Sequence, residues 1–133
     1  TLSWSIMKRK LGILDDEPSI SMIIELNLSD EYSIHAFQDK ESFDVFVAKE
    51  SLDALILDLN LAGNSGKDVI TEIRNSNHPT LASSIPIIIL SGEDSTQEKI
   101  SCLNEGADDY LVKPFNPMEL KARMNRIFSR ING

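Results

Sequence analysis

Cysteine is almost missing from this chain. Cys102 is the only one in 133 residues, so no internal disulfide can brace the fold, which suits a reducing compartment; the cytoplasm is the expected location. No apolar run approaches the ~20 residues that a membrane-spanning helix needs. Thr1 to Ile6 lacks the apolar centre of a signal peptide, and residues 1–8 are expected to be a disordered or non-native lead-in. Basic charge is also scarce: 13 Lys and Arg stand against 21 Asp and Glu, a formal net charge of −8. That balance argues against direct nucleic-acid or anionic-membrane binding by this segment and is compatible with a cation site. No internal repeat, low-complexity tract or linker interrupts the chain. Its length and ordinary apolar content (41%) point to one domain with one core, over residues 9–131.

Short aliphatic runs alternate with helical patterns. Leu11 to Leu14 reads as a first strand, and Pro18 sits at a plausible first helical position. Ile20, Ile23, Ile24 and Leu28 recur at helical spacing over 18–29. Tyr32 to Phe37 reads as a second strand, with Ile34 and Ala36 alternating against Ser33 and His35. Asp39 can cap a second helix whose inner face is Phe43, Phe46 and Val47. The run Ala54 to Leu57 is continuously apolar, as in a strand buried on both faces of a parallel sheet. Ser65 can cap a third helix with Val69, Ile70 and Ile73 inward. Ile85 to Leu90 reads as a fourth strand, with Pro86 tolerable only near its beginning. Ser95 and Glu98 have capping-box spacing at the head of a fourth helix, which Gly106 can stop. Asp109 to Val112 reads as a fifth strand, and a last helix over 117–131 is expected to bury Leu120, Met124, Ile127, Phe128 and Ile131. Five strands alternating with five helices define an α/β fold with a parallel sheet covered on both faces.

In such a sheet ligands bind beyond the carboxyl ends of the strands. Strand one delivers Asp15 and Asp16 there, strand three Asp58, strand four Ser91 and strand five Lys113. Each has an ordinary explanation alone: helix capping for the first two acids, turn positions for Asp58 and Ser91, a surface charge for Lys113. Their joint arrival on one rim is what points to chemistry. Two carboxylates ~4 Å apart repel by roughly 4 kcal/mol at an effective dielectric of 20, so the cluster must take up protons or a cation. With oxygen donors and no Cys or His, that cation is a hard one, Mg²⁺, Mn²⁺ or Ca²⁺ rather than zinc. Mg²⁺ suits best where a phosphoryl group completes its shell.

Four stretches carry a family likeness: Ile13 to Pro18, Leu55 to Asn60, Ser91-Gly92, and Gly106 to Phe115. Together, in this order and spacing, they resemble the CheY-like receiver domain of two-component response regulators, with further likeness to the OmpR/PhoB class. The resemblance implies a flavodoxin-like, doubly wound five-stranded parallel sheet of order 2-1-3-4-5. It implies that Asp58 is the phosphoacceptor, served by a sensor histidine kinase or a phosphotransfer protein. It also implies a Mg²⁺ cofactor, with Mn²⁺ as substitute, held by Asp16, Asp58 and the backbone carbonyl of Asn60, with Asp15 acting through water. Lys113 would pair with Asp58 and later with the phosphoryl oxygens, across a cis Lys113–Pro114 peptide. Ser91 and Tyr110 occupy the positions of a switch pair: the Ser91 hydroxyl is drawn to the phosphoryl group and Tyr110 turns into the space it leaves.

Two positions depart from the pattern. Ala62 stands where proline is usual, and Gly92 replaces a more usual Ala or Thr. Lys99, Asp108, Asp109, Glu119, Arg123 and Arg130 resemble the charged face through which OmpR/PhoB-class receivers form a phosphorylation-dependent homodimer; Lys99–Glu119 and Asp109–Arg123 would pair across its two-fold. A haloacid-dehalogenase-type phosphatase is the rival from another class. It needs a second Asp two positions after the nucleophile, and Asn60 stands there, so the chain is expected to be no enzyme beyond its own phosphorylation and dephosphorylation.

Overall fold

The computed structural model describes residues 8–75 and 78–132; the expectation for residues 1–7 lies outside the described residues. Five strands form one sheet: β1 (Arg9–Leu14), β2 (Tyr32–Phe37), β3 (Ala54–Asp58), β4 (Ile87–Ser91) and β5 (Asp109–Val112). All pairings are parallel and the order is β2-β1-β3-β4-β5. The helices are α1 (Pro18–Leu28), α2 (Lys40–Val47), α3 (Gly66–Arg74), α4 (Thr96–Glu105) and α5 (Pro117–Asn132). This is the expected CheY-like, doubly wound α/β architecture.

The central strands are apolar on both sides because both sides are covered. Along β3 and β4, Leu55, Leu57, Ile87 and Ile89 pack with Phe43, Val47, Val69, Ile70 and Ile73 from α2 and α3. Ala54, Ile56, Ile88 and Leu90 point the other way, to Ile24 and Leu28 of α1 and Leu120, Met124 and Phe128 of α5. The two-residue period of a strand divides one continuous apolar run between two cores. The three caps form as read: Asp39 accepts from the Ser42 N–H at 2.7 Å, Ser65 from Lys67 at 3.2 Å and Ser95 from Glu98 at 3.3 Å. Gly106 ends α4 with φ +119, a left-handed conformation that favours glycine.

Some expectations need correction. Ile23 is 40% exposed, Ile131 is 60% exposed and Ala36 is exposed. α1 and α5 each bury a stripe narrower than their apolar periodicity allows, and β2 is the edge strand of the sheet. β4 begins at Ile87, two residues later than read. Pro86 has no N–H to give, but its carbonyl accepts from Leu55 at 2.9 Å and so joins the sheet from one side only. A two-stranded ribbon, Asn60–Leu61 with Asn64–Ser65, lies between β3 and α3 and was not anticipated. Glu98 does not complete the capping box; its carboxylate pairs with Lys67 at 2.7 Å.

Candidate functional site

The topology brings the predicted residues to one edge. Backbone bonds fix each carrier: the Asp15 N–H donates to Phe37 O at 3.1 Å, Leu59 to Leu90 O at 3.0 Å, and Lys113 to Ser91 O at 2.7 Å. Asp15, Asp58 and Ser91 are the only buried polar residues among those described, at 2%, 5% and 0% exposure. Asp16 and Asn60 are exposed at the mouth. Gly66 sets the depth of the acceptor: a Cβ there would lie 2.8 Å from the Asp58 carbonyl oxygen and 2.9 Å from Leu59 Cα. Only glycine lets α3 start this close to the end of β3.

Lys113 is the electrostatic centre. Its Nζ lies 3.0 Å from Asp15 Oδ2, 3.2 Å from Glu17 Oε1 and 3.5 Å from Asp58 Oδ1. Burial on its own would depress this ammonium, but Asp15, Asp58 and Glu17 outweigh it and hold the pKa above the usual lysine value. Burial, then the Asp15 charge, pushes the Asp58 carboxyl above the ordinary carboxylate range. Lys113 and the Asn60 N–H, 3.3 Å from Oδ1, pull partly in the other direction. Asp58 is therefore a carboxylate whose negative charge is only partly offset by the protein. The Lys113–Pro114 peptide is cis.

One oxygen at this rim lacks a hydrogen bond. Asp15 Oδ1 accepts from the Glu17 N–H at 2.9 Å, whereas buried Oδ2 accepts from no donor, the nearby ammonium being off-line. Asp15, Asp16 and Glu17 can each offer an oxygen within 4.8 Å of the others. An orphaned buried carboxylate oxygen among hard oxygen donors and excess negative charge fits Mg²⁺. Glu17 belongs to this set, and the sequence reading missed it; the signal was its place as third acid of one run.

The two switch positions, Ser91 and Tyr110, meet at the backbone of Glu93. The Ser91 hydroxyl accepts from the Glu93 N–H at 3.0 Å, and Tyr110 is already inside, 7% exposed, its OH donating to Glu93 O at 2.8 Å. On the outer face, Arg123 pairs within the chain with Asp109 at 2.8 Å and Glu119 at 2.9 Å, and Lys99 with Asp94 at 2.8 Å. Arg130 is exposed. Asp108 is committed inward: Oδ2 accepts from the Ile87 N–H at 2.8 Å and from Arg74 at 3.1 Å. Sequence reading gave Arg74 no role, yet it also donates to the carbonyls of Ser83, Ile85 and Gly106 at 2.6–3.0 Å. Nothing in the local pattern of α3 announces those partners, which come from two other segments, the connection before β4 and the turn between α4 and β5.

A parallel 2-1-3-4-5 sheet with buried acids and one lysine at its carboxyl edge defines a CheY-like receiver. Residues 11–125 match the response regulator receiver domain, and the chain belongs to that family. It is 38% identical over 119 residues to the regulatory protein VanR of Enterococcus faecium, covering 89% of this chain and 49% of VanR. The chain thus spans about half the length of that curated relative. A two-component response regulator from Clostridium difficile superposes with a TM-score of 0.85 at 25% identity, covering 95% of this chain and all of that one. DrrB of Thermotoga maritima, an OmpR/PhoB homologue, gives 0.80 at 27% identity over 93% of this chain and 54% of DrrB. No helix among the described residues is long and apolar enough to cross a membrane.

Proposed function

We propose that this receiver is a phosphorelay acceptor in which Asp58 takes a phosphoryl group from a sensor histidine kinase or a phosphotransfer protein. The observation that carries the reading is Asp58 itself: a buried carboxylate at the end of β3, 3.5 Å from Lys113, beside a second buried acid, Asp15, whose Oδ2 accepts no hydrogen bond. An Asp58 oxygen attacks phosphorus as the donor's P–N bond breaks, and the donor imidazole keeps the electron pair. The carboxylate is ionised at neutral pH, so no general base is required; positioning and charge compensation are the whole task. Asp16, Asp58 and the Asn60 carbonyl would hold Mg²⁺, with Asp15 behind them. When bound, the cation offsets the charge that builds on the phosphoryl oxygens. Lys113 then exchanges a carboxylate for a phosphoryl oxygen.

The Ser91 hydroxyl is the group that would swing toward the phosphoryl group, leaving the Glu93 N–H. Because Tyr110 holds the Glu93 carbonyl, that movement would reach the β4–α4 loop and the face of α4, β5 and α5, which would control an output domain or partner. Dimerisation through this face would require Arg123 to exchange its in-chain acids for those of a second copy, each patch meeting its own image. Glu93 and Asn60 flank the attacking line and would orient a hydrolytic water, so the phosphoryl state would be short-lived. A reducing cytoplasm is the location that fits. Incubation with acetyl phosphate and Mg²⁺ should add one phosphoryl mass to the wild type and none to Asp58→Asn. Equal labelling of both, or none of the wild type, would overturn the assignment.

A further inference from the structure

Glu17 stands at the N-cap of α1, where a side chain ordinarily accepts from the free N–H groups of the first turn, yet it makes no such bond. Its carboxylate turns the other way and accepts a hydrogen bond from Lys113 Nζ at 3.2 Å. Lys113 has two further acidic neighbours, Asp15 at 3.0 Å and Asp58 at 3.5 Å, but neither contact has hydrogen-bond geometry. The ammonium thus gives its directed bond to the most exposed of three acids, with the Glu17 side chain 57% exposed against 1% and 7% for Asp15 and Asp58. Its contact with Asp15 is the shortest of the three but off the hydrogen-bond line, and its pull on Asp58 is coulombic. Charge-assisted hydrogen bonds are directional, so a half-exposed partner can decide where the ammonium points while leaving most of its field on the pocket.

We propose that Glu17 is a positioning residue, holding Lys113 at the outer lip of the pocket so that Asp58 stays out of a closed ion pair and open to a divalent cation. The inference rests on reading Asp58 as the acceptor. Without Glu17, only buried acids remain for the ammonium. It moves inward and bonds Asp58 Oδ1, the oxygen already tied to the Asn60 N–H. A cation arriving there must then displace a lysine. Direct ligation by Glu17 is the competing explanation, since its oxygen can approach those of Asp15 and Asp16 within 4.8 Å. The hydrogen bond to Lys113 favours the indirect role.

The test is a four-protein cycle of Mg²⁺ affinity by calorimetry: wild type, Glu17→Gln, Lys113→Met and the double variant. With Lys113 present, Glu17→Gln is expected to weaken Mg²⁺ binding about three- to fivefold, the upper range of what an exposed ion pair contributes. In the Lys113→Met background the same change is expected to alter it by less than about twofold, the lower range for such a pair. An equal loss in both backgrounds would mean that Glu17 acts on the cation directly, and no loss beside Lys113 would mean it does nothing; either overturns the proposal. A cation-free readout needs only the single variant: the carboxyl ¹³C shift of Asp58 should move on Glu17→Gln, and an unchanged shift also refutes it. Acetyl phosphate labelling of the wild type judges the acceptor separately, because its failure would leave the Glu17–Lys113 coupling standing.

Discussion

Replacing Lys113 by Met keeps the length of the side chain and deletes its charge. The buried Asp15 and Asp58 oxygens that face the ammonium lie 3.0 and 3.5 Å from it, so they are no further apart than the sum, 6.5 Å. At that separation two carboxylates repel by at least ~2.5 kcal/mol at an effective dielectric of 20, and Lys113 is what offsets this. Removing one partner from a buried charge group costs ~3–5 kcal/mol, and the open mouth puts this site at the lower end, about 3 kcal/mol at pH 7.5. The sign with pH follows from Asp58. Its pKa is already above that of an unfolded Asp and rises further without Lys113, so the folded state binds more protons than the unfolded state over a window starting near pH 4. Stability then falls as pH rises through the window, and returns as pH falls. The ammonium itself stays charged far above this range, so in the wild type it offsets whichever of the two carboxyls is ionised.

Urea unfolding followed by far-UV circular dichroism, in EDTA, should therefore show a loss of about 3 kcal/mol at pH 7.5 and a smaller one at pH 5. Adding Asp58→Asn to Lys113→Met should recover most of the loss. The same deficit at both pH values, untouched by Asp58→Asn, would show that Lys113 acts by packing and sink the electrostatic account.

Four further outcomes are expected. Mg²⁺ at a hundred times its dissociation constant should raise wild-type stability by about 2.7 kcal/mol, and a thermal melt unmoved by Mg²⁺ would rule out the cation site. Gly66→Ala should cost about 1–3 kcal/mol, because its Cβ meets backbone at 2.8 Å. Gly92→Ala meets nothing within 4 Å and should stay within about 0.5 kcal/mol, so paired denaturation curves that coincide would contradict the contrast. Arg74→Met should cost about 2–3 kcal/mol by leaving three carbonyls short of a donor; a urea midpoint shift equivalent to less than about 0.5 kcal/mol would show that water replaces it. Tyr110→Phe should lose about 1 kcal/mol with the bond to Glu93 O, and an unchanged melt would mean that the bond contributes nothing.

The alternation of short aliphatic runs with amphipathic stretches was enough, by itself, to fix an α/β sheet with covered faces, because strand and helix periods are local properties of sequence. The caps at Asp39, Ser65 and Ser95 were legible for the same reason: each side chain bonds a backbone two or three residues away. So were Asp15, Asp58, Ser91 and Lys113, since a parallel sheet sends the carboxyl end of every strand to one edge. What needed the tertiary structure is whatever depends on distance across segments. Ile131 has the periodicity of a core residue, yet it is 60% exposed, because no described residue covers it at that end of α5. Arg74 carries no local signal, because its partners come from two other segments. The division of the Lys113 ammonium among Asp15, Glu17 and Asp58 was equally hidden: the nearest acid, Asp15, does not take the hydrogen bond, because alignment between the ends of β1 and β3, the head of α1 and the loop after β5 gives it to Glu17. Sequence determined which charges meet; packing decided how they share.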